Sequence, residues 1–269
     1  RGNVSAFFYL SLAGFFSLVV GTVVMLRRPA DRTSLHFYAV CALFFLRYSI
    51  SYAGKLSSVD WALFWVDSLA GLFLPVVFLH FCLTFPEQRL RARPAWLVPA
   101  LYMPALVVAG ATATSHAFFA GGEAPGALWG IVEALSRAEP LYFAVFFTVA
   151  FAALLDSYRR TRGLTARRQV KWLLWGTAAG VFPFLAFYAL PFALGREPGL
   201  ALQLAGYGPL ALIPLSLAYA VVKHRLMDVE LIFRRALGYV LAVAVIVGLA
   251  LLTVGVTDVL WEEPHTSFI

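Results

Sequence analysis

Two oppositely charged side chains, Arg47 and Asp67, lie inside apolar stretches long enough to cross a bilayer. Ionisable groups at that depth are costly, and they usually face a partner, a cavity or a substrate path. Arg47 lies about eight residues, or roughly 12 Å, from the outer end of its predicted helix. Asp67 lies at a similar depth past Trp61, where the next helix is predicted to begin. We therefore predict an intramembrane ion pair, with a ligand-facing role for one of the two residues as the alternative.

His80 lies near the inner end of the third apolar stretch, with Cys82 beside it. Small shifts move an imidazole across neutral pH, so His80 is a candidate pH-sensitive switch; a hydrogen-bonded packing residue is the simpler interpretation. His80 with Cys41 and Cys82 does not have the spacing of a tetrahedral metal site, so no metal is predicted. Both cysteines are expected to be small buried hydrophobic residues and not to form a disulfide.

Three polar side chains lie in the outer halves of the sixth and seventh apolar stretches: Tyr188, Gln203 and Tyr207. They are candidates for the wall of a pocket, although aromatic side chains also anchor helices at the membrane interface. Together with His80 they make up the predicted sensing pocket, which would take an unidentified small or hydrophobic ligand.

The sequence contains none of the motifs that carry soluble enzyme chemistry. A phosphate-binding glycine loop with its lysine, paired CxxC motifs, HExxH and GxSxG are all absent, so no catalytic residue and no cofactor is predicted in this chain. The basic segment from Tyr158 to Lys171 has no aromatic platform or recognition helix beside it, which argues against nucleic acid. It is predicted to hold the cytoplasmic face and to attract anionic lipids, with docking of a partner domain as the alternative.

The elements that must position these residues are transmembrane helices. Of the 269 residues, 61% are hydrophobic and 13% are charged, whereas a soluble domain is about 45–50% apolar. A crossing needs ~20 apolar residues. We therefore predict an all-α polytopic transmembrane bundle of eight helices, at approximately Ala6–Leu26, Leu35–Ala53, Trp61–Phe85, Trp96–Ala113, Leu141–Leu155, Val170–Leu194, Leu202–Val222 and Ala236–Val256.

Two features are expected to interrupt these helices. The longest outer connection is predicted at Thr114–Pro140, either as an ordinary loop or as a short lid helix, with the fifth helix extending back towards Val132. Prolines inside helices predict kinks without breaks, because neighbouring helices in a membrane satisfy the freed backbone groups. They are Pro75, Pro104, Pro183, Pro191, Pro209 and Pro214.

Positive charge is distributed unevenly between the two sides of the predicted bundle. Of the 21 Lys and Arg residues, sixteen lie in the first, third, fifth and seventh connections, four lie on the opposite side, and Arg47 lies within a helix. Because Lys and Arg resist translocation, the sixteen mark the cytoplasmic face. The N-terminus is therefore predicted to lie outside.

Three stretches of the sequence resemble one family of membrane proteins. They read LHFCLTFPE at Leu79–Glu87, ARRQVKWLLWGTAAGVFPF at Ala166–Phe184 and IPLSLAYAVVKHRLMDVELIFRRALGY at Ile213–Tyr239. They resemble the N-terminal multi-pass, 7TM-like sensor region of bacterial sensor histidine kinases and related signalling proteins. The resemblance implies the sensing and transmission region of a two-component receptor in the bacterial inner membrane. It also implies a ninth helix, a cytoplasmic output domain that uses ATP and Mg²⁺, and a homodimeric full-length protein; a phosphatase or cyclase output domain is the alternative.

The same resemblance divides the chain near the end of the seventh apolar stretch. Residues 1–225 are predicted to form a seven-helix sensor bundle, and residues 226–269 a juxtamembrane linker with the eighth helix. Apolar residues between Leu226 and Phe233 recur at helical spacing, which predicts a short interfacial helix; a simple topological turn is the alternative. This segment is expected to transmit the signal, and its charged residues are Lys223, His224, Arg225, Asp228, Glu230, Arg234 and Arg235.

Two other classes of protein use polytopic helical bundles. A transporter or channel needs a continuous polar lining across several helices, whereas the intramembrane charges here are few and clustered. A membrane-embedded enzyme needs two or more catalytic groups at one depth, for which His80 alone is insufficient. A sensing region is therefore the predicted function, and a transporter or channel is the alternative.

Overall fold

Long apolar runs set the architecture, because a backbone in hydrocarbon must satisfy its own hydrogen bonds and a helix does so within one segment. The computed structural model describes residues 4–27, 32–50, 58–85, 94, 96–120, 126–196 and 198–223. These residues form helices and no strand, which confirms the all-α prediction. The first five helices are α1 (Val4–Arg27), α2 (Arg32–Ser49), α3 (Ser58–Thr84), α4 (Leu97–Ala120) and α5 (Gly126–Arg160).

The last two described helices are irregular where proline interrupts them. Helix α6 consists of an α-helix Leu164–Phe184, a π-helical turn Leu185–Ala189 and an α-helical end Leu190–Ala193. Helix α7 consists of Leu200–Tyr207, a 3₁₀ turn Gly208–Ala211 and Leu212–Lys223. Proline removes a backbone donor, and a local π or 3₁₀ adjustment lets the chain continue without a break.

Six of the described helices pack in a closed order. Helix α1 contacts α2, α2 contacts α3, α3 contacts α5, α5 contacts α6, α6 contacts α7, and α7 returns to α1. Helix α4 lies outside this ring against α3 and α5, and it leaves Met103, Leu106 and Val107 exposed. Apolar side chains that cover no other helix are expected in a protein whose solvent is lipid.

Small residues bring α6 and α7 close together. A Cβ atom on Gly176 would overlap the Ser216 side chain, and one on Gly180 would lie 2.8 Å from Ile213 Cγ1. Because Gly176 and Gly180 are four residues apart, they lie on one face of α6 and form a groove for α7. Tight backbone contact replaces the hydrophobic driving force, which is weak between helices in lipid.

The observed helices match the predicted segments in order but not in every boundary. Seven of the eight predicted segments correspond to described helices, and the eighth, Ala236–Val256, lies outside the described residues. Among the described residues, four stretches are long and apolar enough to cross a membrane: Ser58–Thr84, Leu97–Ser115, Ala138–Arg160 and Ala166–Ala193. Eight crossings and an outward N-terminus stay predictions. All described residues belong to one unit, and the division after residue 225 is also still a prediction.

The prediction of an ordinary loop over Thr114–Pro140 is wrong, whereas the predicted extension of the fifth helix back towards Val132 is confirmed. Helix α4 continues to Ala120, and α5 begins at Gly126, so most of the predicted loop is helical. Both flanks are only weakly apolar, but the one that begins α5, at residues 126–140, contains three alanines and two leucines, which favour helix. Helical propensity therefore extends α5 back to the glycine-rich GGEAPG stretch.

Candidate functional site

The Arg47 guanidinium, in the last turn of α2, contacts carboxylates from two other helices. Its Nη1 donates to both oxygens of Asp67 in α3, at 2.7 and 2.9 Å, and its Nη2 donates to Glu139 Oε1 in α5, at 2.9 Å. Helices α2 and α3 run in opposite directions, so the end of α2 lies beside the first half of α3. The structure thus brings Arg47 and Asp67 together and joins α2, α3 and α5 through one side chain.

Glu139 is the member of this cluster that sequence reasoning misses. The charge pattern assigns it to an outer connection, whereas the structure places it inside α5 with its side chain on Arg47. The available signal is its position directly before Pro140 and the fifth apolar run, at the outer depth of the other two charges. Two carboxylates and one guanidinium leave one net negative charge.

Gly71 makes room for this cluster on α3. It lies one turn after Asp67, and a Cβ atom on it would be 3.2 Å from Arg47 Nε and 3.4 Å from Glu139 Oε1. Both distances are at the lower limit for real contacts, so a larger side chain would push the guanidinium off its partners. Asp67 and Gly71 therefore form one surface on α3, four residues apart.

A cavity of about 110 Å³ opens beside the ion cluster. Helices α2, α5, α6 and α7 all contribute to its wall. Arg47 and Glu139 are its charged residues, and the remaining lining consists of Pro140 and six aromatic side chains: Tyr48, Phe143, Phe184, Tyr188, Phe192 and Tyr207. A mostly aromatic lining with a few convergent charged groups is the usual lining of a ligand site.

Three of these rings form a column along α6, where residues four apart lie on one face, and the π-helical turn Leu185–Ala189 contains the middle ring, Tyr188. Phe184, Tyr188 and Phe192 stack in succession, with ring centroids 5.7 Å apart and interplanar angles of 26° and 12°. Tyr207 of α7 packs against the column, with its ring centroid 4.4 Å from that of Tyr188. Gly206 permits this approach, because a Cβ atom there would lie 3.0 Å from Tyr188 Cβ. π-Helical turns are rare and often occur at functional sites.

The structure separates the four residues of the predicted pocket. Tyr188 and Tyr207 line the cavity together, but Gln203 and His80 are not among its lining residues. Gln203 is exposed, and its amide donates to the Pro198 carbonyl at 3.0 Å, so its side chain folds back on the start of α7. His80 lies farther along α3, about 13 residues or ~20 Å from Asp67 at ~1.5 Å per residue.

His80 belongs to a second polar cluster, near the end of α3. Its Nδ1 is 2.8 Å from the Tyr102 hydroxyl of α4, and its ring centroid is 4.5 Å from that of His36 in α2. Thr84 donates to the His80 carbonyl at 3.1 Å. These contacts make His80 a packed and hydrogen-bonded residue, as one of the two interpretations of its sequence position expects.

The basic segment forms the end of α5 and the start of α6. Arg160 bonds to Asp156 at 2.8 Å, and the Arg167 guanidinium lies 4.8 Å from the centre of the Tyr158 ring. Most of the cations between Arg159 and Lys171 are exposed, and the exposed rings of Trp172 and Trp175 follow them. Cations next to exposed tryptophan are typical of a helix at a membrane surface.

Other predicted residues lie elsewhere or outside the described chain. Cys41 and Cys82 are buried with free thiols. In the described ranges, no group of three or more His, Cys, Asp or Glu residues is placed to hold a metal ion. Lys223 is the last residue of α7, and the remaining transmission residues, His224, Arg225, Asp228, Glu230, Arg234 and Arg235, lie outside the described residues.

Comparison with known proteins identifies one family for most of the chain. Residues 9–230 match the family described as the N-terminal 7TM region of histidine kinase. The matched range includes every residue of the ion cluster and of the cavity wall. No curated protein and no solved structure matches the chain.

Proposed function

Because this chain belongs to the family of N-terminal 7TM regions of histidine kinases, we propose that it is the membrane-embedded sensing and transmission region of a bacterial two-component sensor histidine kinase. Its output domain would be a cytoplasmic protein-histidine kinase that uses ATP and Mg²⁺. The protein would act as a homodimer in the bacterial inner membrane. The family assignment supports this function, and the shape of the described bundle gives it a mechanism.

The observation that carries the proposal is the aromatic cavity beside the Arg47 cluster. Its wall is built by α2, α5, α6 and α7, and Asp67 adds α3 through the guanidinium. Any molecule that enters the cavity therefore contacts helices from both ends of the sequence. A ligand shifts a conformational equilibrium only by its differential affinity for the two states, and a cavity shared by four helices provides that difference.

The irregular turns of α6 and α7 are the part of the bundle that can most easily switch between two arrangements of the helices. The π turn of α6 contains the cavity residue Tyr188, and the 3₁₀ turn of α7 follows directly after the cavity residue Tyr207. A small shift at these turns would change the position of α7 and so of Lys223 at its end. The segment from Lys223 to Arg235 would pass this change to the output domain.

The orientation follows from charge. With sixteen cations in alternate connections, the cavity would lie in the outer half of the membrane, and the basic ends of α5 and α6 would lie at the cytoplasmic face. Those exposed cations would hold anionic lipid headgroups. A stimulus would then reach the cavity from outside or from within the bilayer.

Autophosphorylation of the full-length protein in nanodiscs tests this proposal. Phosphohistidine is expected after addition of ATP and Mg²⁺, and Arg47→Gln should change its rate of formation at least threefold. Arg160→Gln is the matched control, because Arg160 also pairs with a carboxylate but lies far from the cavity. Thermal unfolding of each variant checks that it is folded. Equal rates for the two variants, or no phosphohistidine at all, would contradict the proposal.

A further inference from the structure

We infer that the cavity is a binding site for a small organic ammonium group, an inference that rests on the proposed sensing function and names its ligand class. Arg47, Asp67 and Glu139 together carry one net negative charge beside the cavity. Arg47 is held on both sides, since Nη1 bonds to Asp67 and Nη2 to Glu139. The guanidinium is thus matched by one carboxylate, and the charge of the other is available to a ligand.

Glu139 is the carboxylate that faces the ligand. It lines the cavity, and 40% of its side chain is exposed, whereas Asp67 is 15% exposed and does not line it. Only Oε1 of Glu139 bonds to Arg47, and Oε2 has no hydrogen-bond partner among the residues that the structure describes. A cation in the cavity would bond to this second oxygen and complete the charge balance of the cluster.

The aromatic wall selects for the same charge. Aromatic rings present a negative face, and cages of such rings bind quaternary and other ammonium groups. Here the stacked column Phe184, Tyr188 and Phe192 meets Tyr207 on one side, and Tyr48 and Phe143 line the rest of the wall. A carboxylate ligand would lose solvation against these rings, and the like charge of Glu139 in the same wall would repel it.

The volume limits the size of the group. About 110 Å³ corresponds to roughly four water molecules at ~30 Å³ each, well below the ~300 Å³ or more of a site for drug-sized ligands. The cavity therefore holds an ammonium headgroup such as that of choline or ethanolamine. The same headgroup occurs free in solution or on a phospholipid, and the structure fits both sources.

Calorimetry on the full-length protein tests this inference without using kinase output. The protein is placed in nanodiscs of phosphatidylglycerol, which has no ammonium group, and titrated with choline, with its neutral carbon isostere 3,3-dimethyl-1-butanol, and with acetate. Choline should bind with saturation, and the other two should not. A second titration in nanodiscs that contain phosphatidylethanolamine and phosphatidylcholine separates the sources. A fall in apparent affinity identifies the lipid headgroup, and an unchanged affinity identifies the free amine.

Three variants complete the test. Glu139→Gln should weaken choline binding about 30-fold, which is ~2 kcal/mol at ~1.4 kcal/mol per tenfold. Asp156→Asn, on the same helix but away from the cavity, should bind like the wild type. Tyr207→Leu removes one ring and serves if Glu139→Gln unfolds; it should weaken binding several-fold.

Equal binding of choline and its isostere, binding of acetate in place of choline, or unchanged binding by folded Glu139→Gln would overturn the inference. These failures differ from failure of the proposed function. Loss of choline binding with intact, Arg47-dependent autophosphorylation would reject the ligand class alone. Choline binding in a protein that forms no phosphohistidine would reject the kinase function and keep the site.

Discussion

Replacing Arg47 by methionine should destabilise the bundle more than removal of either carboxylate partner. Methionine keeps most of the side-chain length and removes the charge. The substitution leaves Asp67 and Glu139 facing each other without the cation that now separates them. Two like charges in a poorly hydrated site repel each other, and each has lost its charge-assisted hydrogen bonds.

The exposures of the three side chains set the expected order. Arg47→Met should cost about 3–5 kcal/mol, the range for breaking a buried ion pair from one side. Asp67→Asn should cost about 1.5–3 kcal/mol, because Asp67 is 15% exposed and loses bonds to a charged donor while Glu139 still balances Arg47. Glu139→Gln should cost about 1 kcal/mol or less, because a side chain that is 40% exposed is partly screened.

The structure also changes what a charge swap should do. Arg47→Asp with Asp67→Arg restores a pair between α2 and α3, but it places the new aspartate beside Glu139. The swap alone should therefore recover only part of the lost stability, and adding Glu139→Gln should recover more. This coupling is a signature of a three-residue cluster, because an isolated pair would recover without the third change.

Unfolding free energies in mixed dodecyl maltoside and sodium dodecyl sulfate micelles measure these differences. Helicity followed by circular dichroism gives the transition for each variant, and Arg160→Gln, on an exposed pair, is the control. The reasoning is refuted if Arg47→Met costs no more than Glu139→Gln. It is also refuted if the third change leaves the swapped protein no more stable.

Three further predictions concern packing, topology and coupling. Gly176→Leu should separate α6 from α7 and lower the melting temperature by several degrees. Gly110→Leu on α4 is the control and should have little effect, because a Cβ atom there would meet nothing within 4 Å. Equal melting temperatures for the two variants would show that the close contact is unimportant. A cysteine at Gly163 should resist membrane-impermeant thiol reagents added outside intact cells, and labelling there would reverse the assigned orientation. Replacing Met227–Leu231 with a Gly-Ser linker of equal length should leave membrane insertion normal and uncouple autophosphorylation from the stimulus. If autophosphorylation still depends on the stimulus, the signal passes to the output domain by another route.

The helical order and the Arg47–Asp67 contact are accessible from sequence for a simple reason. Apolar runs of bilayer length have one stable solution in lipid, and successive helices joined by a short connection are antiparallel neighbours. Two residues at the same membrane depth on such neighbouring helices therefore lie close together. The family resemblance at Ala166–Phe184 and Ile213–Tyr239 is also visible in sequence alone, and residues 9–230 match the corresponding family.

The rest of the site depends on contacts between distant segments. Glu139 reaches Arg47 across 92 positions of sequence, and no spacing rule links them. Phe184, Tyr188 and Phe192 recur at the four-residue spacing of one helix face, but proline content does not locate the π turn that contains Tyr188. Gln203 lies four residues before Tyr207 on the same helix, so spacing alone predicts that both side chains face the cavity. The Gln203 amide donates to the Pro198 carbonyl instead. Local competition of this kind is decided by side-chain geometry that the sequence pattern leaves open.

If the state of the cavity sets the output of a histidine kinase, added bulk in the cavity wall should change the rate of phosphohistidine formation. Phe143→Trp adds volume to the cavity wall, whereas Val145→Trp places the same indole ring, with a larger increase in volume, at an exposed position of the same helix. Both variants are measured as full-length protein in nanodiscs, by the initial rate of phosphohistidine formation and by thermal unfolding. Phe143→Trp is expected to change the rate at least threefold while remaining folded, and Val145→Trp is expected to match the wild type. Equal rates in all three proteins would show that the cavity does not control the output.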